Sequence, residues 1–284
     1  MNSNLLNMAL QLSVQDIFTS SWFSSALMNK VWTETMRSSV NGLIRNTASP
    51  DLLGVALGGR LRGDAAMLRQ ASSNVSEAQS MMRMAADAAG NIASQLKEAQ
   101  LVAGEFLKAT KDMTPGDSDY NALYAKYQAL YEAISGNIDS IIKSTTYNGI
   151  ALLDGNAWGN DERLSVVGNT ASVYIQAGES GFPLSFSNMA AEFSNIANAY
   201  GLHGSSSNIL HELSSLQSSA QSLADLYAGR AGSLQSQSVS LQSQAKILAE
   251  AAAQRAKTPA PVSTENLLLN LILRDSGGIF SGRG

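Results

Sequence analysis

The chain of 284 residues has no cysteine, two histidines, five prolines and charged side chains at only 15% of its positions. The absence of cysteine excludes disulfides, thiol catalysis and thiolate metal sites. A chain without thiols must hold its shape by packing alone, as an extracellular protein can. Nineteen basic residues against 23 acidic ones give a net charge of −4, with no block of like charge. Neither the basic stripe that nucleic acid requires nor a patch suited to an anionic membrane is present, so no nucleic-acid partner is expected. No apolar run reaches the ~18 residues that cross a bilayer, so no membrane insertion is expected. No basic residue precedes Lys30, and the N-terminus does not read as a secretory signal peptide. If the protein leaves the cell, the expectation is a route that removes nothing. A surface this poor in charge is expected to lie largely against other subunits.

What is present is periodicity. Ala71, Ala78, Ala85, Ile92, Ala99 and Phe106 recur every seven residues. Leu68, Val75, Met82, Ala89, Leu96 and Ala103 interleave with them at the same period. Alternating steps of four and three place both columns on one helical seam, the heptad pattern of a coiled coil over residues 64 to 110. Because the seam is mostly alanine, a partner helix can approach closely, and long helices with small-residue seams serve assembly.

Thr114-Pro115-Gly116 ends that helix, and a second begins near Ser118. Its columns are Tyr120, Tyr127, Ile134 and Ile141, and Leu123 with Leu130, flanked by Tyr124, Tyr131 and Ile138. These large side chains complement the small ones of the first helix, so an antiparallel pair is expected. Asn148-Gly149 is a type I′ turn signal. Beyond it the period shortens to two, and residues 162 to 177 read as a β-hairpin around Gly168-Asn169, extended by Leu184 to Phe186. A third long helix is expected from Asn208 to about Lys257, on the column Leu213, Ala220, Tyr227, Leu234, Leu241 and Leu248.

Both ends of the chain are apolar. Leu6, Leu10, Ile17, Leu27 and Val31 follow a loose helical spacing in a segment almost free of charge, with an apolar arc too wide for a helix that faces water. Leu267, Leu268, Leu269, Leu271, Ile272 and Leu273 lie beyond a break at Thr258 to Pro261 and precede a Gly/Ser tail. A monomer cannot hide such ends.

Catalytic constellations are not evident. His203 and His211 are eight residues apart and do not share a helical face as a zinc pair would. Asp51 with Asp64, or Glu98 with Glu105, lacks an apolar enclosure that would shift a carboxylate, and reads as a solvated face. Gly54-Val55-Ala56-Leu57-Gly58-Gly59 lacks the Lys-Ser/Thr of a phosphate loop and is expected instead to permit close backbone contact. The chain reads as no enzyme and calls for no cofactor or metal.

Thr146-Tyr147-Asn148-Gly149-Ile150-Ala151-Leu152-Leu153-Asp154-Gly155 resembles the T-x-F/Y-N-G-x-x-L-L stretch of bacterial flagellin. Arg37-Ser38-Ser39 with Gly42 and Arg45-Asn46 resembles that family's S-S-G-x-R-I-N. Ala48 through Gly54 is similar to A-K-D-D-A-A-G, and Ala71-Ser72-Ser73-Asn74 to A-S-R-N. Val173-Tyr174-Ile175-Gln176-Ala177-Gly178 resembles the hairpin strand that ends in Q-V-G. Ala245-Lys246-Ile247-Leu248-Ala249 resembles A-Q-I-L-Q, and Asn266 through Arg274 resembles N-V-L-S-L-L-R. The order of these motifs, from residue 37 onward, is more specific than any one of them.

The resemblance implies a mainly α fold, a long coiled-coil bundle with a small β-hairpin region near 146–187. Residues 45–244 would form the rod domain. Residues 1–44 and 245–284 would pair as inner-core helices, with Leu6, Leu10, Ile17, Leu27, Val31, Leu248, Leu267, Leu268, Leu271 and Ile272 in the assembly core. Ala71, Ala78, Ala85, Ile92, Ala99, Phe106, Leu213, Leu234 and Leu241 would pack the rod, and Asn148 and Gly149 would make the turn. It further implies a self-polymerising filament subunit used for motility, carried by the flagellar type III export apparatus and an export chaperone. The subunit would meet hook-associated and cap proteins in an extracellular flagellum. Departures from the family are the missing outer domain, the prolines at 259 and 261, the tail 275–284, and Leu96 through Val102 without the arginines of L-Q-R-V-R-E-L. A hook–filament junction protein, or a secreted coiled-coil effector or adhesin, are the alternative readings.

Overall fold

The structure, a computed structural model, describes residues 50–193 and 206–257. Five helical and strand elements of substantial length account for most of it. Helix α1 spans Pro50–Ala109, a run of 60 residues that opens on proline. Proline suits a first turn because its missing N–H has no partner there anyway. Helix α2 spans Ser118–Ser144, and helix α4 spans Ser206–Lys257, with the short helix α3 at Ala190–Phe193. Strands β1 (Thr146–Tyr147) and β2 (Ile150–Ala151) form a two-residue ladder. Strands β3 (Leu164–Val167), β4 (Thr170–Ala177) and β5 (Ser180–Ser187) form a three-stranded sheet in that order. The protein is thus mainly α with a small antiparallel β region, as the resemblance implies.

The chain divides into two units. Among the described residues, the first holds 77–175, 182–193 and 206–232. Here α1 and α2 run antiparallel: Phe106 meets the rings of Tyr120, Tyr124 and Tyr127 at centroid distances of 5.8, 6.0 and 5.9 Å, while Asn137 Nδ2 donates to Gln95 Oε1. The first two of those ring pairs are edge-on, the arrangement that the aromatic quadrupole favours. Between the helices Gly116, at φ 105°, turns the chain, and Asn121 Nδ2 donates to its carbonyl. Helix α4 is tied to α1 by Gln100 and Gln217, whose amides are 2.9 Å apart.

The buried seam of α2 is displaced from the expected columns. Tyr131, Ile134, Ser135, Ile138 and Ile142 are buried. Leu130 is exposed and Ile141 only half-buried. The expected column of Tyr120 and Tyr127 still meets Phe106 and its Ile134 is buried, but further along the helix the seven-residue spacing runs one register over, through Tyr131 and Ile138.

The second unit holds 50–76, 176–181 and 233–257 of the described residues. Here α1 and α4 run antiparallel. Leu61, Ala251 and Ala252 form a buried cluster against which Ile247 and Leu248 pack. Ser72, Ser76 and Ser238 join their hydroxyls across the pair, with Oγ–Oγ distances of 2.9 and 2.7 Å. Asn74 Nδ2 donates to the carbonyl of Gln176 at the end of β4, fixing the sheet tip on α1.

Candidate assembly site

Every residue of the two heptad columns of α1, from Leu68 to Phe106, is at most 2% exposed. Ala71, Ala78, Ala85, Ile92, Ala99 and Phe106 therefore form an unbroken buried line. Leu213, Leu234 and Leu241 of α4 are buried as well, and Leu248 is half-buried against Leu61 and its neighbours. Half of the α1 seam is alanine. Tyr131, Ile138 and Tyr227 are buried too, and large side chains beside small ones are how cores reach close packing without voids.

The residues proposed for an inner core, Leu6, Leu10, Ile17, Leu27, Val31, Leu267, Leu268, Leu271 and Ile272, lie outside the described residues. So do Arg37 to Ala48, Asn266 to Arg274, and His203.

The Thr146–Gly155 stretch forms a compact junction. Asn148 at φ 49° and Gly149 at φ 77° make the turn between β1 and β2. Leu152 and Leu153 are fully buried, and Trp158 donates its indole N–H to the Ala151 carbonyl at 2.9 Å. Asp154 Oδ1 accepts from the backbone of Asn156, a local turn typical of aspartate. Asn188 then binds the junction to the end of the sheet. Its Oδ1 accepts from Gly155 N at 3.1 Å and from Ala191 N at 3.3 Å, its own N–H donates to Asn169 O, and Met189 N donates to Leu153 O.

Sequence reasoning missed several of the contacts that hold this region. Arg163 forks onto Asp161, with Nε at 2.8 Å from Oδ1 and Nη2 at 2.7 Å from Oδ2, and donates from Nη1 to the Asn148 carbonyl at 3.0 Å. The guanidinium beside Asp161 holds that carboxyl below the ordinary aspartate range. Tyr227 is fully buried, and its hydroxyl accepts from Ser187 N at 2.8 Å. Burial pushes its phenol above the usual tyrosine value. Tyr227 stands in the seven-residue column of α4, but its bond to Ser187, like that of Arg163 to Asn148, joins residues far apart in sequence, so only the fold brings those pairs together.

One chemical expectation needs correction. Burial raises the Asp64 carboxyl above its ordinary range, with Arg60 opposing and Glu179 adding to the shift, so this acid is not simply solvated. Its Oδ2 is buried and has no hydrogen-bond partner among the described residues. Burial also raises Glu192 of α3. Glu98, Glu105 and His211 are exposed. At Gly59 an added Cβ would meet nothing within 4 Å among the described residues, and at Gly58 only the tip of Arg62.

Among the described residues no group of three or more His, Asp or Glu is placed to hold a metal ion. No helix among them is long and apolar enough to cross a membrane.

Residues 24–157, a little under half of the chain, match the family model of the bacterial flagellin N-terminal helical region. The matched segment begins earlier than residue 37, where motifs first become legible, and covers α1, α2 and the Asn148–Gly149 turn. No curated protein matches the chain. The buried heptad seam of α1, the antiparallel α2 and the junction at Thr146–Gly155 all fall within the matched segment, and over that segment the chain is similar to the helical region of the bacterial flagellins.

Proposed function

We propose that the chain is the structural subunit of a bacterial flagellar filament, exported and assembled outside the cell for motility. The observation that carries this reading is the match to the flagellin helical region over a seam that is buried without a break from Leu68 to Phe106. Flagellins are structural proteins, and the reading assigns no catalysis. Residues 45–244 are proposed as the rod, and 1–44 with 245–284 as inner-core helices that order as each subunit joins the growing end. Folding on association spends part of the interface energy on ordering, which suits apolar ends that no monomer can cover. The proposed partners are other copies of the chain first. The flagellar type III export apparatus, an export chaperone, and hook-associated and cap proteins follow from the family.

The test is seeded polymerisation of the full chain, followed by light scattering and electron microscopy, beside a chain ending after Val262. Burying one leucine side chain is worth roughly 1.5–3 kcal/mol, so removing the apolar residues 267–273 should abolish polymerisation. Helical content and melting of the remaining chain should stay nearly unchanged. Filaments of normal length from the truncated protein would remove the terminal helices from the assembly core. A full chain that forms only short junction-like oligomers, or stays monomeric, would favour the junction or effector reading.

A further inference from the structure

Arg163 is tied into the Asn148–Gly149 turn more firmly than an exposed arginine needs to be. Its guanidinium is forked on Asp161 through two bonds, its backbone N–H donates to Asp161 Oδ1 at 3.0 Å, and Nη1 reaches the Asn148 carbonyl at 3.0 Å. Nη2 stands 4.0 Å from where a Cβ on Gly149 would lie. Asn148 and Gly149 are both exposed, and β1–β2 pairing holds each side of them, Tyr147 opposite Ile150 and Thr146 opposite Ala151.

Asparagine followed by glycine is the sequence with least steric hindrance to cyclisation. The Gly149 amide nitrogen, after losing its proton to hydroxide, adds to Asn148 Cγ. The adduct expels the side-chain nitrogen as ammonia and closes a succinimide. Water then opens the ring at one carbonyl or the other, leaving aspartate or isoaspartate, so that the net change is the gain of water and the loss of ammonia. The reaction requires the nitrogen to come within about 3–3.5 Å of Cγ. Bringing it there means rotating the peptide plane between Asn148 and Gly149, which swings the Asn148 carbonyl.

We propose that Asn148–Gly149 is a deamidation site and that Arg163, by holding the Asn148 carbonyl, is the positioning residue that restrains it. The fork on Asp161 makes the restraint stiff, because the guanidinium cannot follow the carbonyl without breaking two charge-assisted bonds. Conversion to isoaspartate would insert an extra backbone carbon into a turn that is two residues long and destroy the β1–β2 register. The inference does not depend on the filament reading.

The full chain, Arg163→Gln, Asp161→Asn and Val173→Ala are incubated at mildly alkaline pH. Isoaspartate at position 148 is quantified by peptide mapping against a synthetic peptide of residues 144–152. The folded chain should deamidate at least about tenfold more slowly than the peptide, because a reacting group held out of place loses rate steeply. Arg163→Gln and Asp161→Asn should each recover most of that difference. Val173→Ala loosens the sheet where Val173 pairs with Leu164, keeps every bonding group of the clamp, and should leave the rate unchanged. Should Arg163→Gln fail to fold, Asp161→Asn alone decides the matter. Equal rates in the full chain and the peptide would overturn the proposal. So would an unaltered rate in both clamp variants, or an acceleration by Val173→Ala as large as theirs.

Discussion

Gly155 and Asn188 stand so close that a Cβ on the glycine would collide with the amide of the asparagine. That amide accepts from Gly155 N and Ala191 N, so it cannot move aside without releasing both donors. Gly155→Ala should therefore cost about 1–3 kcal/mol, the range for buried polar groups left unpaired. Asn188→Ala empties the space. In that background Gly155→Ala should be nearly neutral, and a double-mutant cycle read by denaturant melts should give a coupling of similar size. Additive losses would mean that the two residues act separately.

The α1 seam should be intolerant of size. Ala85 and Ala99 are fully buried, and Ala85→Leu or Ala99→Leu should lower stability by about 1–3 kcal/mol through overpacking. Leu101, on the same helix but 61% exposed, serves as the control: Leu101→Ala should shift stability by no more than about 0.5 kcal/mol. Thermal melts of the full chain separate the two outcomes. Equal effects at seam and surface would deny α1 a closely packed face.

Tyr227 anchors β5 to α4, assisted by Arg230, whose Nη1 donates to Ser185 O at 3.3 Å. Tyr227→Phe leaves Ser187 N without its acceptor and should cost about 1–3 kcal/mol. Burial raises the phenol in the folded state, so the unfolded chain loses that proton first as pH rises. Stability should then fall above the ordinary tyrosine value, and Tyr227→Phe should remove that part of the alkaline decline. Melts across the alkaline range check both effects.

Repeats announced themselves in the sequence and pairwise contacts did not. The two columns of α1 are legible because a seven-residue spacing repeats over many turns, and Asn148-Gly149 because few residues tolerate positive φ. The exact seam of α2 was not, since Leu130 and Tyr131 are equally apolar neighbours and only the contact with α1 and its surroundings decides which is buried. Strand β5 was visible only as Leu184 to Phe186, because Pro183 and the small residues before it blur the alternation. Ser238 read as one more member of a polar helix face, yet it is buried between Ser72 and Ser76. Arg163, Asn188 and Tyr227 act on partners 15 to 40 residues away, a distance at which no spacing rule operates.

Asp64 should make stability depend on pH in a direction opposite to a salt-bridged acid. Its carboxyl is raised in the folded chain, chiefly by burial, while Arg60 only partly offsets this and Glu179 adds repulsion. The folded state thus binds this proton more tightly than the unfolded state does. Stability from this group falls as pH rises from the ordinary aspartate range through the raised folded value, and the penalty persists at neutral pH. Asp64→Asn keeps the shape and removes the charge, so it should raise the melting temperature at neutral pH by about 1–2 °C. In acid below the ordinary aspartate range the variant and the natural chain should melt together, since the carboxyl is then protonated in both states. Destabilisation by Asp64→Asn at neutral pH would mean that attraction to Arg60 outweighs burial.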